Sequence, residues 1–422
     1  MKVYRHFMLD SLYRNSIFMI SNTITTSLIG FVFWVVVARL YQSYDVGIAT
    51  TMISASTLVA GFSLFGLNTA LLRYMYKYKS NDQALRINTS LLFVALVSFV
   101  LALVYLICIN VFSPALGFIK ENYLLAALFV MTPVAMAIGV IFDSVFIAYQ
   151  KAEAVFIKNS TMSILKLVIV VFLVTLGASG IFTAHSISVL FAITLATYML
   201  KRKLKHNFKF EFNPKIIREM SKFSLGNYMA NFIEGISVSI LPILITNQLG
   251  AVYSGYFYID MMIAGAIYTI PISVSQVTLA HGSKDISNVK GSLKKALKII
   301  MLILLPAVLF ISFFGALILS IFGQEYADGG YTALVLLILA SIPITFKLLL
   351  NAVFNIQHRI RTIIILNSLT VVVVIGLSLV LMPLGLNGVA FAWLIGETVG
   401  AFVAVIFALS TGTFTHRIQE SI

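Results

Sequence analysis

The 422-residue sequence predicts an all-α polytopic membrane protein with about twelve transmembrane helices in two parallel six-helix bundles related by an internal pseudo-two-fold repeat. Three observations predict it: a composition that no water-soluble globular chain carries, a series of apolar windows long enough to cross a bilayer, and a self-similarity between the halves. Hydrophobic residues make up 60% of the chain and charged residues 10%, with a mean hydropathy of +1.01, whereas a soluble domain runs nearer 25% charged. That balance sets aside soluble enzymes, coiled coils and disordered chains. The net charge of +14 would point to nucleic acid in a soluble protein, so it has to be tested against topology first.

Apolar windows of roughly 20 residues, enough for roughly 30 Å of hydrocarbon, fall near 17–38, 46–72, 88–112, 123–149, 156–176, 181–200, 223–246, 252–280, 297–322, 330–355, 360–383 and 387–411. Ahead of the first, His6, Asp10 and Arg14 interrupt any apolar stretch, so the N-terminus does not read as a cleavable signal peptide. The connections are too short to be domains. The longest, Lys201 to Lys222, is a basic linker, which divides the chain into an N-terminal bundle (1–200), a linker (201–222) and a C-terminal bundle (223–422). There is no nucleotide-binding Gly-Lys-Ser/Thr loop, and the single cysteine, Cys108, excludes an intramolecular disulfide and a cysteine metal site.

Basic residues sort by side. With the N-terminus taken as cytoplasmic, 25 of the 29 fall in inside segments, among them eight between Lys201 and Lys222. The outside has Arg39 and Lys120, and Lys166 and Lys347 fall within spans. This asymmetry is the positive-inside signature; it places both termini in the cytoplasm of a cell (inner or plasma) membrane protein, and it replaces nucleic acid as the explanation of the charge.

The C-terminal half, slid back by 208 positions, repeats the first. Val145-Phe146 falls on Val353-Phe354, Asn159-Ser160 on Asn367-Ser368, Gly177 on Gly385 and Gly180 on Gly388. Asn22 precedes Arg39 by 17 residues, as Asn231 precedes Gln248. A six-span unit begins and ends on one side, so its copy enters the membrane in the same sense, the parallel arrangement on which alternating access is often built. In the linker, Asn213-Pro214 reads as an N-cap followed by proline at the first helical position. It opens a short helix with Ile216, Ile217, Met220 and Phe223 on its apolar side, which also suits a basic interfacial helix on anionic lipid.

The run Ala38-Arg39-Leu40-Tyr41, then Tyr44-Asp45-Val46-Gly47 and Gly66-Leu67-Asn68-Thr69-Ala70-Leu71-Leu72-Arg73-Tyr74, resembles the first two helices of polysaccharide flippases in the multidrug/oligosaccharidyl-lipid/polysaccharide exporter superfamily. The resemblance continues in Phe322-Gly323-Gln324-Glu325-Tyr326 and in Pro383-Leu384-Gly385-Leu386-Asn387-Gly388-Val389-Ala390. It implies two six-helix bundles around a central cavity and transport of isoprenoid-linked oligosaccharide units to the outer leaflet, for surface polysaccharide, O-antigen, lipopolysaccharide or capsule assembly. The implied partners are the lipid bilayer, the lipid-linked oligosaccharide, a glycan polymerase and glycosyltransferases, with no nucleic acid. Two other readings compete: a cation-coupled multidrug or toxin antiporter of the same superfamily, and a membrane glycan polymerase or ligase. The antiporters tend to carry an acid in the first helix, where this chain has only Asn22. The enzyme would need a catalytic arrangement on an outer loop, and none recurs there; the chain reads as a non-enzyme.

Six ionisable residues lie inside the spans away from either end: Asp143, Lys166, Glu234, Asp260, Lys347 and Glu397. Each costs roughly 2.5 to 3.5 kcal/mol on insertion scales, so they face a partner or a wet cavity. Asp143, seven residues before Gln150, and Lys166, eight after Lys158, sit roughly 10 to 12 Å from the cytoplasmic ends of adjacent spans and pair with each other or serve separately. Lys347, nearer the cytoplasmic end of its helix, either snorkels or joins Lys166 and Arg73 as an anchor for substrate phosphate. Glu234, Asp260 and Glu397 fall near mid-depth with no basic residue expected at that level. Together with Asp143 they form the expected ion-coupling set, for H+ or Na+; no metal site or organic cofactor is expected.

Other features carry blander readings. Gly396 and Gly400 flank Glu397 at a spacing that permits close helix contact. Pro133, Pro271 and Pro343 are expected to kink their spans. Tyr41, Tyr44, Tyr123, Tyr253 and Tyr326 lie near outer ends, as an aromatic belt or as platforms for sugars. His185 has no ligand-spaced partner and reads as a capped or buried residue.

Overall fold

The computed structural model describes residues 11–78, 80–282 and 289–411. His6 and Asp10, and the basic residues Lys2, Arg5, Lys79, Lys284 and Arg417, lie outside the described residues. Among the described residues there is no strand, and twelve helical stretches are long and apolar enough to cross a bilayer. The protein is a multi-pass, all-helical membrane protein.

In the N-terminal part the helices are α1 (Ser11–Leu40), α2 (Ser43–Ser63), α3 (Leu67–Tyr74), α4 (Ser80–Ile107), α5 (Tyr123–Ala148), α6 (Ala152–Phe172) and α7 (Gly177–Lys203). Then follow α8 (Pro214–Gln248), α9 (Ala251–Gly282), α10 (Val289–Ser320), α11 (Gln324–Leu339), α12 (Ser341–Ile356), α13 (Ile360–Leu381) and α14 (Leu386–Ser410). The chain divides into two compact units between Tyr228 and Met229, so the linker and the first turns of α8 group with the N-terminal unit. Within that unit α1 packs on α6, α4 on α5, and α7 on both α5 and α6; within the other, α13 packs on α14, α10 on α11, and α9 on α11 and α12.

Side-chain size decides which helices are central. Small residues such as Gly47, Ala49, Thr50, Thr51, Ser54 and Ala55 let neighbours approach α2 closely, and all of them are buried. The Thr50 and Thr51 hydroxyls donate to the Gly47 carbonyl of the preceding turn, which leaves no unsatisfied donor in an apolar setting. In α1, by contrast, Ile17, Ile20, Ile24 and Leu28 remain exposed, as expected of a lipid-facing surface.

Four expectations need correction. The span expected at 46–72 is broken: α2 ends at Ser63, and the chain turns through left-handed Phe65 and Gly66 before α3. Gly66 is required there, since a Cβ would lie 3.0 Å from the Ser224 carbonyl oxygen. The helix after Asn213-Pro214 is not short. Asn213 accepts from the Lys215 amide at 3.0 Å as a cap, but α8 then runs unbroken for 35 residues into the next span. The tenth span is two helices, α11 and α12, and Pro343 lies in the first turn of α12, where its missing N–H is harmless. Pro242 and Pro306 are interior prolines alongside Pro133 and Pro271.

The repeat is written into the backbone. Gln150 and His358, 208 positions apart, are both left-handed, and each is followed by an amide that donates back five residues, Lys151 to Phe146 and Arg359 to Phe354. Gly177 and Gly385 both have positive φ and both close the short 3-10 turn that leads into the last helix of their unit. Non-glycine residues with positive φ are uncommon, so their recurrence in one register is a strong mark of duplication.

Candidate functional site

Each unit holds one polar cluster within its helices. In the N-terminal unit, Lys158 reaches from α6 to α5, its ammonium 2.8 Å from Asp143 Oδ2 and donating to the Gly139 carbonyl at 3.3 Å. Asn159 lies beside the same carboxylate and donates to Asn22 Oδ1 of α1 at 3.1 Å. Asp143, Lys158, Asn159 and His185 line a cavity of about 330 Å³ whose other walls are mostly apolar, including Leu64, Met136 and Met162. His185 Nε2 and Asp143 Oδ1 are buried there without a hydrogen-bond partner among the described residues.

In the C-terminal unit the cation is Lys347 of α12. Its ammonium lies 2.6 Å from Glu397 Oε2 of α14 and 3.6 Å from Glu234 Oε1 of α8. Two turns of neighbouring polar groups support it: Asn351 donates to Asn367 Oδ1 at 3.3 Å, and Asn367 donates to the Ala230 carbonyl at 2.8 Å. Charging an isolated group in hydrocarbon is costly, whereas ion pairing offsets much of that penalty. Fully ionised, one ammonium faces two carboxylates, so this cluster can accept one proton or one monovalent cation.

Superposing the register of the repeat shows one design carried out twice. Asp143 corresponds to Asn351, Asn159 to Asn367 and Asn22 to Ala230; in both units the α6 or α13 asparagine reaches its neighbour 137 residues away. The lysine has changed helix. Lys347 occupies the counterpart of Gly139, and Leu366 that of Lys158, yet the Lys158 ammonium would lie only 3.7 Å from a Cβ at Gly139. The two copies thus carry their buried lysine on different helices.

The structure brings some expected site residues together and separates others. Glu234 and Glu397 share a cluster, but the expectation of no basic residue at that level is corrected by Lys347 itself. Lys347 does not snorkel: it is only 2% exposed. Asp143 pairs with Lys158 and not with Lys166, because α6 begins at Ala152, which puts Lys158 within the helix and facing α5. Lys166 has no carboxylate among the described residues; its ammonium lies 4.1 Å above the Phe33 ring, a cation–π contact. Asp260 stands apart, fully buried against Gly330, with neither oxygen hydrogen-bonded among the described residues. Arg73 lies exposed at the end of α3 beside Tyr74.

Sequence reasoning counted Lys158 and Arg86 as loop charges and so missed both pairs. Arg86 is buried; it stacks on Tyr78 and donates to Glu219 Oε2 at 2.9 Å, while the Tyr78 hydroxyl donates to Glu219 Oε1 at 2.6 Å. These two donors hold the Glu219 carboxyl below its ordinary range, the Tyr78 hydrogen bond most of all. The signal was the presence of Glu219 in a linker whose only other acid is Glu211. His185 is half-buried, and its Nε2 is enclosed without a hydrogen-bond partner among the described residues. Gly396 and Gly400 press α14 onto Val374 and Thr370 of α13. Tyr41 and Tyr326 are packed inside, Tyr41 donating to the Val170 carbonyl at 2.6 Å, so neither is a belt residue, whereas Tyr44, Tyr123 and Tyr253 are exposed.

A protein-family model described as polysaccharide biosynthesis protein matches residues 12–279. Among solved structures, the lipid II flippase MurJ in an inward closed conformation is similar over 94% of this chain and 89% of its own, with a TM-score of 0.70 and 15% identity. An inward-facing multidrug resistance MATE family transporter of the MOP superfamily is similar over 96% of both chains, with a TM-score of 0.64 and 18% identity. A MOP superfamily transporter from Pyrococcus furiosus, described as having a binding pocket of reversed polarity, is similar over 95% of both chains, with a TM-score of 0.59 and 19% identity. At these identities the likeness is one of fold. No curated protein matches the chain.

Proposed function

The chain belongs to the polysaccharide biosynthesis protein family, and from that premise we propose that it is a flippase moving isoprenoid-linked oligosaccharide units across a cell membrane by alternating access, without enzymatic chemistry. The observation that carries the reading is the family match over residues 12–279 in a chain that has the MOP transporter fold. The charge inventory supports it. A substrate bearing phosphate needs an uncompensated cation at membrane depth, and Lys166 supplies one in the N-terminal unit, with Arg73 outside the span as a second contact. Lys347, neutralised by its carboxylates, is better placed as part of an ion-coupling cluster than as a phosphate anchor.

In this proposal, Glu234 and Glu397 take up the coupling proton or sodium ion, with Asp260 as a second buried acid. Asp143, paired with Lys158, holds that lysine in place and carries less of the coupling. This reading places both termini in the cytoplasm, and the distribution of basic residues supports it.

The test is reconstitution. Vesicles holding the protein and a fluorescent isoprenoid-diphosphate oligosaccharide should expose the labelled sugar to a membrane-impermeant quencher on the opposite leaflet, faster with an imposed ion gradient. Protein-independent movement of the lipid, with gradient-driven efflux of cationic dyes instead, would replace the flippase by the drug antiporter.

A further inference from the structure

The linker between α7 and α8 contains an extended run in which Phe208, Phe210 and Phe212 alternate with Lys209 and Glu211. Alternation along an extended chain places the three rings on one side. Phe208 is held by the bundle, edge-on to His206 and Phe142. Beyond it the rings stand free: Phe210 is 97% exposed and Phe212 52%. Around them Lys201, Arg202, Lys205, Lys215, Arg218 and Lys222 are all exposed, and among the described residues none forms an ion pair with a carboxylate.

The height of this run is set by its hydrogen bonds. Asn88 Nδ2 donates to the Asn207 carbonyl at 3.2 Å, Asn88 Oδ1 accepts from His206 Nε2 at 2.8 Å, and Thr89 donates to the Glu211 carbonyl at 3.4 Å. Asn88 lies eight residues into α4, roughly 12 Å along the helix, so the run is strapped beside the helix ends and not suspended beyond them. The spans on either side end at Lys203 and begin at Ser224. An exposed aromatic pair at that level, ringed by uncompensated cations, matches the chemistry of an anionic lipid surface, where rings sit at the boundary of headgroup and acyl chain and lysines and arginines meet the phosphates.

We propose that the Phe210 and Phe212 segment is a membrane-interface anchor that binds anionic lipid headgroups of the leaflet on which the linker emerges. Its role is to hold the linker of the N-terminal unit against the bilayer, and it does not depend on what the protein transports.

F210W tests this directly, because the native Trp34 and Trp393 are only 5% and 4% exposed and contribute a small background to surface quenching. In vesicles of phosphatidylcholine with phosphatidylglycerol, the added tryptophan should emit blue-shifted light and be quenched by lipids brominated high on the acyl chain. Replacing phosphatidylglycerol by phosphatidylcholine, raising the salt, or adding K205Q, K209Q and K215Q together should reduce that quenching. Quenching by aqueous iodide with indifference to bromolipid would overturn the proposal and leave the rings as a surface for a protein partner. Quenching equal in neutral and anionic vesicles would overturn recognition by charge.

Discussion

Lys347 and Glu397 stand 2.6 Å apart, nitrogen to oxygen, with their side chains 2% and 8% exposed. Such a pair is cheap to keep and costly to break, because removing either partner strands the other in a medium that cannot hydrate it. Lys347→Met and Glu397→Gln should therefore each lower stability by about 3 kcal/mol, whereas K347M combined with E397L should recover most of the loss. Glu234 lies farther from the ammonium and is about one-third exposed, so E234Q should cost much less. Thermal midpoints of the purified proteins in detergent check the order. Equal losses for E397Q and E234Q would show that the two carboxylates share the lysine evenly.

The repeat makes a sharper prediction for Asp143 and Lys158. D143N installs the residue found at the counterpart, Asn351, but leaves the Lys158 ammonium buried without its carboxylate. A loss of about 3 kcal/mol should follow. K158L, which installs the counterpart Leu366, should rescue D143N in a double-mutant cycle with a coupling of at least about 1 kcal/mol. Additive effects in the cycle would mean that Lys158 finds its compensation elsewhere.

Glu219 gives the edge of the N-terminal unit a pH dependence. Its carboxyl is held below the ordinary value of 4.5 by hydrogen bonds from Tyr78 and Arg86. The folded protein thus favours the charged form more than the unfolded chain does. That stabilisation is fully present above the ordinary value and is lost as pH falls through the lower folded one. E219Q should accordingly be less stable than the native chain at neutral pH, with the gap closing in acid. A gap that stays constant from neutral pH into acid would show that the charge plays no part.

Gly180 and Gly388 occupy one position in the two units, and a Cβ at either would run into a carbonyl oxygen, that of Leu173 or Leu381. Both carbonyls belong to the tight turns into the last helix of each unit, so neither can move aside as a side chain would. G180A and G388A should each cost about 2 kcal/mol or more, as overpacking does at its upper end, and by similar amounts. A large effect at one and none at the other would mean that the two turns differ in rigidity.

How much of this could be read from the chain alone follows from what each feature depends on. Spans were legible because hydrophobic length is a local property; each of the twelve apolar windows overlaps one of the twelve membrane-length stretches, although the second overruns Ser63 by nine residues. The break at Phe65 and Gly66 was not, since its apolar flanks hide a turn that a close approach to Ser224 demands. Duplication was legible through glycines and asparagines, the residues whose roles are set by backbone shape and hydrogen bonding. The partners of the buried charges were not legible: depth along a helix can be counted, but azimuth cannot. Lys347 and Glu397 looked like separate features because nothing in their spacing says that α12 and α14 turn those faces to one another. Lys158 was counted with the cytoplasmic charges because it stands only two residues into the expected window at 156–176; with the helix starting at Ala152 it lies nearly two turns in.

Lys166 is where the proposed function is most exposed to experiment. It sits within a span with Phe33 as its neighbour and no carboxylate among the described residues. A cation left in that state is either structural, held by the ring, or waiting for an anion. The two roles separate by substitution. K166Q keeps length and polarity while removing the charge; if the ammonium meets substrate phosphate, affinity for an isoprenoid-diphosphate oligosaccharide should fall by roughly tenfold to a hundredfold, the worth of one charge-assisted hydrogen bond, with the thermal midpoint little changed. F33L removes the ring and keeps the charge, so it should cost about 1 kcal/mol of stability and leave affinity near native. The reverse pattern, a lowered midpoint in K166Q with unchanged affinity, would make Lys166 a packing residue and move the search for the phosphate contact to Arg73.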